Sequence, residues 1–467
     1  MSLQNGPAPR QERATRRQAR LGLWGLLLLT TSLVSVVYAG HAGFRSQAVG
    51  GISIDVSGVV GPPSAEATKL TVAELKKEIK DAGEELAAPV KLRMVSLRGL
   101  AEAAEDALKN NFGRLPEEVQ FLAGLQRLQY VFVDVEHDDI ILAGPGEGWR
   151  IDDKANVIGI TTGRPVLRLD DLLVAFRAVD AARTEGITCS IDPTPEGVVN
   201  LRKLLDAQRG RPLQPQLIEG AMKEAFGAQQ VSVTGVPPTS HFARVLVAAD
   251  YRMKRIAMHL DPSPVKELPS YLDLLKSGGA RSATNVNPRW WLACNYEPLA
   301  ATEDGLAWEI RGPGVKAMTE DEFTTAEGER VGTGRVSKQA QQWADLMTNE
   351  YDALSGEDLV FGDLRNIMDM CLVAALIEKN NLWETARLKV PILTDSNSDL
   401  KIQLWNAPKT IPPQVSFLRA RNAWIVTASG GVSVESWQAA SKVTPTPALA
   451  AVRGQATQRS RSGIWWQ

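Results

Sequence analysis

Apolar residues recur at two spacings along the chain, and each spacing predicts a different element. Spacings of three and four residues predict amphipathic helices. These helices begin near Thr71, Ser96, Asp170, Thr194 and Pro215 or span 338–354 and 359–379. Alternation of apolar and polar residues, or a short apolar run, predicts strands over 128–135, 138–144, 186–192, 229–236 and 423–436. Because helices and strands alternate irregularly, the pattern favours an α+β fold of mixed, hairpin-rich sheets with packed helices.

The first predicted hairpin has an acidic tip. The strands 128–135 and 138–144 flank the polar turn EHD. The stretch DVEHDD (134–139) has the alternating acidic oxygens that calcium favours, but it lacks the glycine and the downstream acidic ligand of a calcium loop. We therefore interpret it as a solvated turn.

A second hairpin is predicted around the basic stretch YRMK (251–254), between the apolar runs RVLVAAD and RIAMHL. A catalytic Tyr–Lys pair on a helix needs a spacing of four residues, whereas Tyr251 lies three residues before Lys254. Arg255 has the right spacing, but arginine stays protonated and cannot act as a tuned base. The sequence thus favours a charged turn that recognises a partner over a catalytic cluster.

Tryptophan is unevenly distributed and suggests two domains. Of the twelve tryptophans, ten lie from Trp290 onward, which indicates a distinct core or an aromatic surface. The composition of residues 276–289 is that of a linker. The predicted organisation is an α+β domain over 48–276, a linker over 277–289, a Trp-rich α+β domain over 290–440 that starts with a three-stranded meander, and a disordered tail over 441–467.

The amino-terminal residues predict export. The first twenty residues contain five Arg and one Glu, and residues 21–39 contain no charge. A basic segment, an apolar segment and a small-x-Ala end are typical of a cleaved signal peptide. As a helix, 21–39 would span roughly 28 Å, so an uncleaved anchor is the alternative interpretation of residues 1–39. Either way, we expect the rest in the periplasm or cell envelope, with membrane contact only through 21–39 if uncleaved.

Charge and cysteine content narrow the possible partners. The formal net charge is −2, and loss of five Arg and one Glu with residues 1–39 would move it to −6. A mildly acidic chain has no electrostatic reason to bind nucleic acid. Cys189, Cys294 and Cys371 are too few and too scattered for a disulfide framework. One pair could form, but three small buried residues are the favoured interpretation.

No compact catalytic motif is present. The stretch LAGPGEG (142–148) imitates a phosphate loop, but a strand pattern follows it where a helix is needed. The four histidines, His41, His137, His241 and His259, form no His-Glu-x-x-His motif, and no Gly-x-Ser-x-Gly elbow occurs. The sequence therefore predicts neither a cofactor nor a metal, and it identifies no catalytic residue.

Two hexads repeat one pattern near opposite ends of the chain. GGISID (50–55) and GGVSVE (430–435) carry like residues at all six positions. We interpret both as strand starts and predict that the strands are neighbours. Cysteines placed at Ser53 and Ser433 would then cross-link.

Eight phrases carry a resemblance to a known family. They are LAGLQRLQYVFV, ILAGPGEGWRID, TTGRPVLRLDDLL, SIDPTPEG, VLVAADYRMKRIAM, PRWWL, RGPGVKAMTED and TASGGVSVESW. In this order they resemble a family of exported planctomycete proteins that is catalogued only as a domain of unknown function. The resemblance spans nearly all of 48–440 and implies an exported location and a planctomycete-like host. It carries no catalytic residue, ligand or partner.

Two classes of function remain. The favoured one is a non-enzymatic cell-envelope protein that binds or scaffolds another envelope protein or a glycan, because catalytic motifs are absent and the second half is aromatic. The alternative is a cell-wall or polysaccharide hydrolase with a carboxylate pair, a mechanism that leaves no sequence motif.

Overall fold

The computed structural model describes residues 52–111, 113–208, 215–277, 286–419, 423–426, 429–459 and 464–467. All of these belong to one compact unit. The helices are α1 Ala65–Glu78, α2 Glu84–Ala87, α3 Leu97–Asn110, α4 Glu117–Gln120, α5 Leu169–Arg177, α6 Val179–Thr184, α7 Pro195–Ala207, α8 Pro215–Phe226, α9 His241–Ala257, α10 Tyr271–Ser277, α11 Lys338–Asn349, α12 Tyr351–Glu357, α13 Leu359–Lys379, α14 Leu382–Thr385, α15 Pro391–Thr394, α16 Ser436–Ala439 and α17 Leu449–Arg459. The strands are β1 Ser53–Ile54, β2 Val60–Gly61, β3 Val90–Ser96, β4 Tyr130–Asp134, β5 Asp139–Gly146, β6 Trp149–Ile151, β7 Val157–Gly159, β8 Ile187–Asp192, β9 Gln229–Thr234, β10 Val286–Asn295, β11 Leu299–Ala301, β12 Ala307–Glu309, β13 Gly314–Thr324, β14 Arg330–Gly332, β15 Thr410–Ile411, β16 Ser416–Arg419, β17 Ala423–Val426, β18 Ser429–Val434 and β19 Val443–Pro445.

The α+β class predicted from the sequence is confirmed. A seven-stranded sheet has the order β14-β13-β10-β18-β8-β9-β15, and a six-stranded sheet has the order β19-β11-β12-β4-β5-β3. Both are mixed, because β10 runs parallel to β18 and β11 runs parallel to β19, while their other pairings are antiparallel. The first predicted hairpin is β4–β5, closed by the pair Asp134↔Asp139.

Both large sheets take strands from either side of residues 277–289. β10 and β13 join the sheet that contains β8 and β9, and β12 pairs with β4. The sheets therefore do not follow the predicted division into 48–276 and 290–440. The physical reason is that β10 pairs with β13 on one side and with β18 on the other. β18 lies next to β8, so these later strands form one sheet with the earlier strands β8 and β9.

Side-chain caps fix several helix starts. Ser96 Oγ accepts a hydrogen bond from Gly99 N at 2.9 Å, and Thr194 Oγ1 accepts one from Gly197 N at 3.0 Å, as predicted. The other two predicted caps were wrong. α1 begins after Ser64, well before Thr71, and α5 begins at Leu169, so Asp170 lies inside its first turn.

The predicted helix over 359–379 is confirmed as α13. Its predicted inward face, Phe361, Leu364, Met368, Cys371 and Leu372, is buried throughout. The helix packs against α5, α9 and α12. The predicted helix over 338–354 is instead two helices, α11 and α12.

The predicted second hairpin was wrong. Residues 244–257 continue one helix, α9, which begins after the capping residue Ser240. Almost every residue of α9 is buried, on all faces. Charged residues divide its sequence into the short apolar runs RVLVAAD and RIAMHL, and periodicity alone cannot tell such runs from strands. The basic tip at 251–254 does not exist as a turn.

The predicted meander and disordered tail also need correction. β10 pairs with β13, while β11 and β12 between them turn away into the six-stranded sheet. The tail contains β19 and α17, and residues 464–467 bridge to β3. Leu449 and Ala456 of α17 are buried against the six-stranded sheet, which gives this Ala-rich helix the packing that its composition did not reveal.

The two hexads lie in separate sheets. β1 pairs with β2 in a two-stranded sheet, whereas β18 lies in the seven-stranded sheet between β10 and β8. The prediction that they are neighbours was wrong, and the sequence echo reflects two unrelated strand starts. Residues 21–39 lie outside the described residues, and none of the described helices is long and apolar enough to cross a membrane.

Candidate active site

Three helices bring their amino-terminal turns together in the core. α5, α9 and α13 pack against one another pairwise. Asp170 and Asp171 lie in the first turn of α5, His241 begins α9, and Asp363 lies in the second turn of α13. Amino-terminal turns favour negative charge, because their N–H groups are unpaired and the helix dipole is positive there. The arrangement places three carboxyl groups around one imidazole.

His241 and Asp171 form a buried hydrogen-bonded pair. Nδ1 of His241 lies 2.8 Å and 3.1 Å from the two carboxylate oxygens of Asp171. Ser240 fixes the start of α9, because its Oγ accepts a hydrogen bond from Ala243 N at 3.1 Å. With Nδ1 held by a carboxylate, Nε2 is the ring nitrogen left to exchange a proton.

Asp363 has a perturbed acidity. Burial raises the pKa of its carboxyl to about 6, against the opposing attraction of His241 and Arg168. Asp171 adds to the rise, because a neighbouring carboxylate disfavours a second negative charge. The residue keeps partial solvent exposure. An acid of this kind is about half protonated near pH 6 and can donate its proton to a bound molecule.

Asp170 responds to the same surroundings. Burial raises the pKa of its carboxyl, and Asp171 raises it further. The backbone N–H of Gln403 donates to Asp170 Oδ2 at 3.2 Å and opposes the rise. Like Asp363, Asp170 is partly exposed. Two partly exposed acids with raised pKa values therefore interact electrostatically with the buried His241–Asp171 pair.

Trp405 covers another side of His241. The two ring centroids lie 5.6 Å apart. The guanidinium carbon of Arg244, one turn further along α9, lies 4.8 Å from the Trp405 ring centroid. Burial lowers the pKa of Arg244 to about 10. The backbone N–H of Trp405 donates to Thr239 O at 2.8 Å, which ties this wall to the start of α9.

Gly362 allows α13 to come close to the segment before α5. A Cβ at this position would lie 2.7 Å from the carbonyl oxygen of Ser355 and 2.8 Å from Cγ of Pro165. One turn on, the side-chain amide of Asn366 donates to Pro165 O at 3.4 Å. The placement of Asp363 beside Asp171 and His241 thus depends on a residue without a side chain.

The group set favours proton transfer. Asp171 orients His241 through a hydrogen bond at Nδ1, which suits a general base. Asp363, with a raised pKa, suits a general acid, and acid and base assignments follow from environments that push pKa values apart. In the part of the chain that the structure describes, no group of three or more His, Cys, Asp or Glu is arranged to hold a metal.

A second polar cluster lies near the other end of α9. Lys254 Nζ donates to Asp250 Oδ2 at 2.8 Å, to Ile191 O at 2.8 Å and to Gly430 O at 3.3 Å. These carbonyls belong to β8 and β18 of the seven-stranded sheet. Asp250 and Lys254 are both sealed from solvent. The cluster joins the helix to the sheet.

The stretch from β8 to the start of α10 contains both His241 and the Lys254 cluster. Residues 189–271 match the family model described as Protein of unknown function (DUF1598). The resemblance to a domain of unknown function is thus confirmed over this segment, while Asp171 and Asp363 lie outside it. No curated protein and no solved structure matches the chain.

The DUF1598 segment contains two of the histidines that the sequence singled out. His241 reaches Asp171, and His259 Nδ1 lies 3.2 Å from Asp273 Oδ2 in a largely exposed pair. Outside the segment, His137 Nδ1 lies 2.8 Å from Asp134 Oδ2 at the acidic hairpin tip. His41 lies outside the described residues.

The three cysteines are free thiols in the structure. Burial raises the pKa of Cys189 and Cys371 well above the usual value and that of Cys294 to about 12. Thiols of this kind are poor nucleophiles at neutral pH, which agrees with the sequence interpretation of Cys189, Cys294 and Cys371 as packing residues.

Sequence reasoning missed the site itself. Asp171 and His241 are 70 residues apart, and Asp363 lies on a third helix. No spacing in the sequence encodes such a meeting. One signal was present: Asp363 is a carboxyl in α13, the most apolar of the long helices that the structure describes, where an acidic residue is unusual.

Proposed function

We propose that the protein is an exported hydrolase that works by general acid–base catalysis at His241, Asp171 and Asp363. The observation that carries the proposal is a partly exposed carboxyl with a pKa of about 6 beside a buried His–Asp pair. Perturbed acids next to an oriented histidine cluster at catalytic sites. Burying a carboxyl group costs free energy, so an apolar residue at 363 would be expected if this position served packing alone.

Each group receives one task. Nε2 of His241 takes a proton from water as the water oxygen attacks the scissile bond. The Asp363 carboxyl gives its proton to the leaving oxygen as that bond breaks. Asp171 holds the imidazole through Nδ1 and stabilises its positive charge. Afterwards His241 is protonated and Asp363 is ionised, and exchange with solvent restores both.

The proposed substrate is a glycosidic linkage of a wall or envelope polysaccharide. Hydrolysis of such linkages uses one protonated and one basic group on opposite sides of the bond. The carboxylate pair is Asp363 and Asp171, the latter acting through His241. Export supports an envelope substrate, and the basic-then-apolar pattern of residues 1–39 supports export. A reporter fused to residues 1–45 that stayed in the cytoplasm would remove that support.

The test compares hydrolysis by the purified chain and its variants on dyed wall sacculi and dyed soluble polysaccharides. Asp363→Asn and His241→Asn are expected to lower the rate of dye release about 100-fold or more. His259→Asn is the matched control, since it removes a histidine from an exposed His–Asp pair, and should leave the rate unchanged. The rate should fall as pH rises above about 6, the pKa of Asp363. Equal rates in all four proteins would refute the assignment.

A non-enzymatic binding role is the second candidate, and one observation favours it. Residues 464–467 lie against β3 as a bound peptide does, with three backbone hydrogen bonds. Absence of hydrolysis on every substrate, together with binding of the intact chain to sacculi, would favour this candidate over the hydrolase.

A further inference from the structure

The outer edge of β3 is covered by a four-residue segment from the far end of the chain. β3 is the last strand of the six-stranded sheet. Met94 N donates to Gln467 O at 2.9 Å, and Gln467 N donates back to Met94 O at 3.0 Å. Ser96 N donates to Trp465 O at 2.8 Å. Val95 and Trp466 form an antiparallel bridge. Residues 464–467 thus extend the sheet in the manner of an added strand.

The groove beside β3 is shaped for the two tryptophans. A Cβ at Gly99 of α3 would lie 2.3 Å from Cβ of Trp465, so only glycine leaves room for this side chain. The guanidinium carbon of Arg93 lies 5.6 Å from the Trp466 ring centroid, within cation–π range. Both tryptophans pack against the main core. Backbone pairing supplies affinity, and the two aromatic contacts supply selectivity.

We propose that β3 and α3 form a peptide-binding groove for an extended Trp-Trp-Gln segment, and that residues 464–467 of a second copy of this chain occupy it when the groove's own segment is displaced. The segment seated in the groove shows which sequence fits, and every copy carries that sequence. Only four residues, 460–463, separate the segment from α17. Exchange of such an end segment between copies needs no new contact, because the interface already exists within one chain.

Competition decides which copy is bound. A short tether gives the segment of the same chain a local concentration on the order of millimolar. The local segment therefore excludes the second copy unless it is disabled. A chain with a blocked groove and a free segment should bind a chain with an open groove and a disabled segment, and neither should associate with itself.

The experiment mixes two full-length variants. Gly99→Val blocks the groove and leaves the segment intact. The double variant Trp465→Ala/Trp466→Ala leaves the groove intact and removes both anchors. Sedimentation velocity of the equimolar mixture at about 0.1 mM, below the local concentration that the tether provides, should show a heterodimer, and each variant alone should sediment as a monomer. Adding Gly99→Val to the double variant should abolish the heterodimer.

Hydrogen exchange of the Met94 and Ser96 amides keeps the test decisive. When either variant is alone, both amides should exchange faster than in the parent protein. In the mixture, the amides of the double variant should regain protection, and those of the Gly99→Val variant should not. Gly99→Ala serves if Gly99→Val fails to fold, as judged by circular dichroism. Monomers throughout with no recovered protection would overturn the proposal. Because neither variant touches His241, Asp171 or Asp363, this outcome is independent of the proposed hydrolysis.

Discussion

Each end of helix α9 carries a buried pair of an aspartate and a basic side chain, but the surroundings of the two pairs differ in their exposure to solvent. At the start, His241 pairs with Asp171 beside Asp170 and Asp363, both of which are partly exposed. Near the end, Asp250 and Lys254 pair beneath the sheet and are sealed from solvent. Burial raises the pKa of Asp250 to about 6, as it does for Asp363. A perturbed pKa alone therefore does not identify a site.

Access separates the two clusters. No substrate can reach Asp250, whose side chain has 0% exposure. Lys254 Nζ has three acceptors, one for each of its protons, so the ammonium is satisfied by the fold. At the other end, Asp170 and Asp363 are partly exposed, although the side chain of His241, which pairs with Asp171, is only 2% exposed. The Asp250–Lys254 cluster joins the helix to the sheet, whereas the His241 cluster has the groups that the proposed acid–base chemistry would use.

The largest expected effect comes from breaking the sealed pair. Lys254→Met should destabilise the fold by about 3–5 kcal/mol, because it leaves the Asp250 carboxyl buried without its counter-charge. The loss should be larger above pH 6 than below it, since the lone carboxyl is neutral only when protonated. Urea denaturation above and below pH 6 measures the loss of stability and its dependence on pH.

The double variant Asp250→Leu/Lys254→Met is the matched control. Replacing both charges with apolar residues removes the buried charge and should recover most of the lost stability. A single variant that costs under about 1 kcal/mol would contradict the claim that Lys254 joins helix to sheet.

An intermediate effect of opposite sign is expected at the other cluster. The folded-state pKa of Asp363 lies above its unfolded value of 3.8, at about 6. The folded chain then binds the extra proton between pH 4 and 6, so this group's contribution to stability is full below about 4 and is lost as pH rises through about 6. Asp363→Asn, always neutral, should lack this loss.

At pH 7 the Asp363→Asn protein should therefore be more stable than the parent, by on the order of 1 kcal/mol once partial solvent exposure is considered. Thermal melts from pH 4 to pH 8 measure the difference between the two curves. A variant that is less stable than the parent at pH 7 would show that the folded protein stabilises the ionised Asp363 carboxylate, which contradicts its raised pKa.

The smallest effect is expected at the exposed pair. His259→Asn removes a histidine whose side chain is 61% exposed beside a partly exposed Asp273. Exposed ion pairs contribute little, so stability should change by less than about 0.5 kcal/mol. The same replacement at His241 should cost clearly more. Equal effects at the two positions would remove the distinction between buried and exposed His–Asp pairs.

The sequence predicts a helix well where apolar residues recur at three- and four-residue spacings over a long stretch, and poorly where charged residues divide the helix into short apolar runs. α13 was found at its observed bounds, because its apolar spacing, length and following Asn-Asn pair agree. α9 was taken for a hairpin, because the charged stretch 251–254 divides its sequence into two short apolar runs that resemble strands. The tail was taken for disordered, because the contacts of Leu449, Ala456 and Trp465 depend on distant strands.

The candidate site lies beyond sequence reasoning for a related reason. His241, Asp171 and Asp363 come from three helices, and their meeting depends on how those helices cross. Gly362 sets that approach for α13 through the clash its Cβ would make with Pro165. From a single sequence, Gly362 is recognised only as a residue of low helix propensity, and its role in close packing is not visible.

The most direct test of the account is the titration of the Asp363 carboxyl in the folded protein. Carbon-13 spectra of chains labelled at aspartate carboxyl carbons, with the Asp363→Asn spectrum for assignment, give its midpoint. We expect a midpoint near 6, the raised pKa of Asp363, and a higher midpoint in His241→Asn, because His241 lowers the pKa. The His259→Asn protein should give the parent value. A midpoint near 4, unmoved by His241→Asn, would contradict the claim that Asp363 and His241 form one acid–base site.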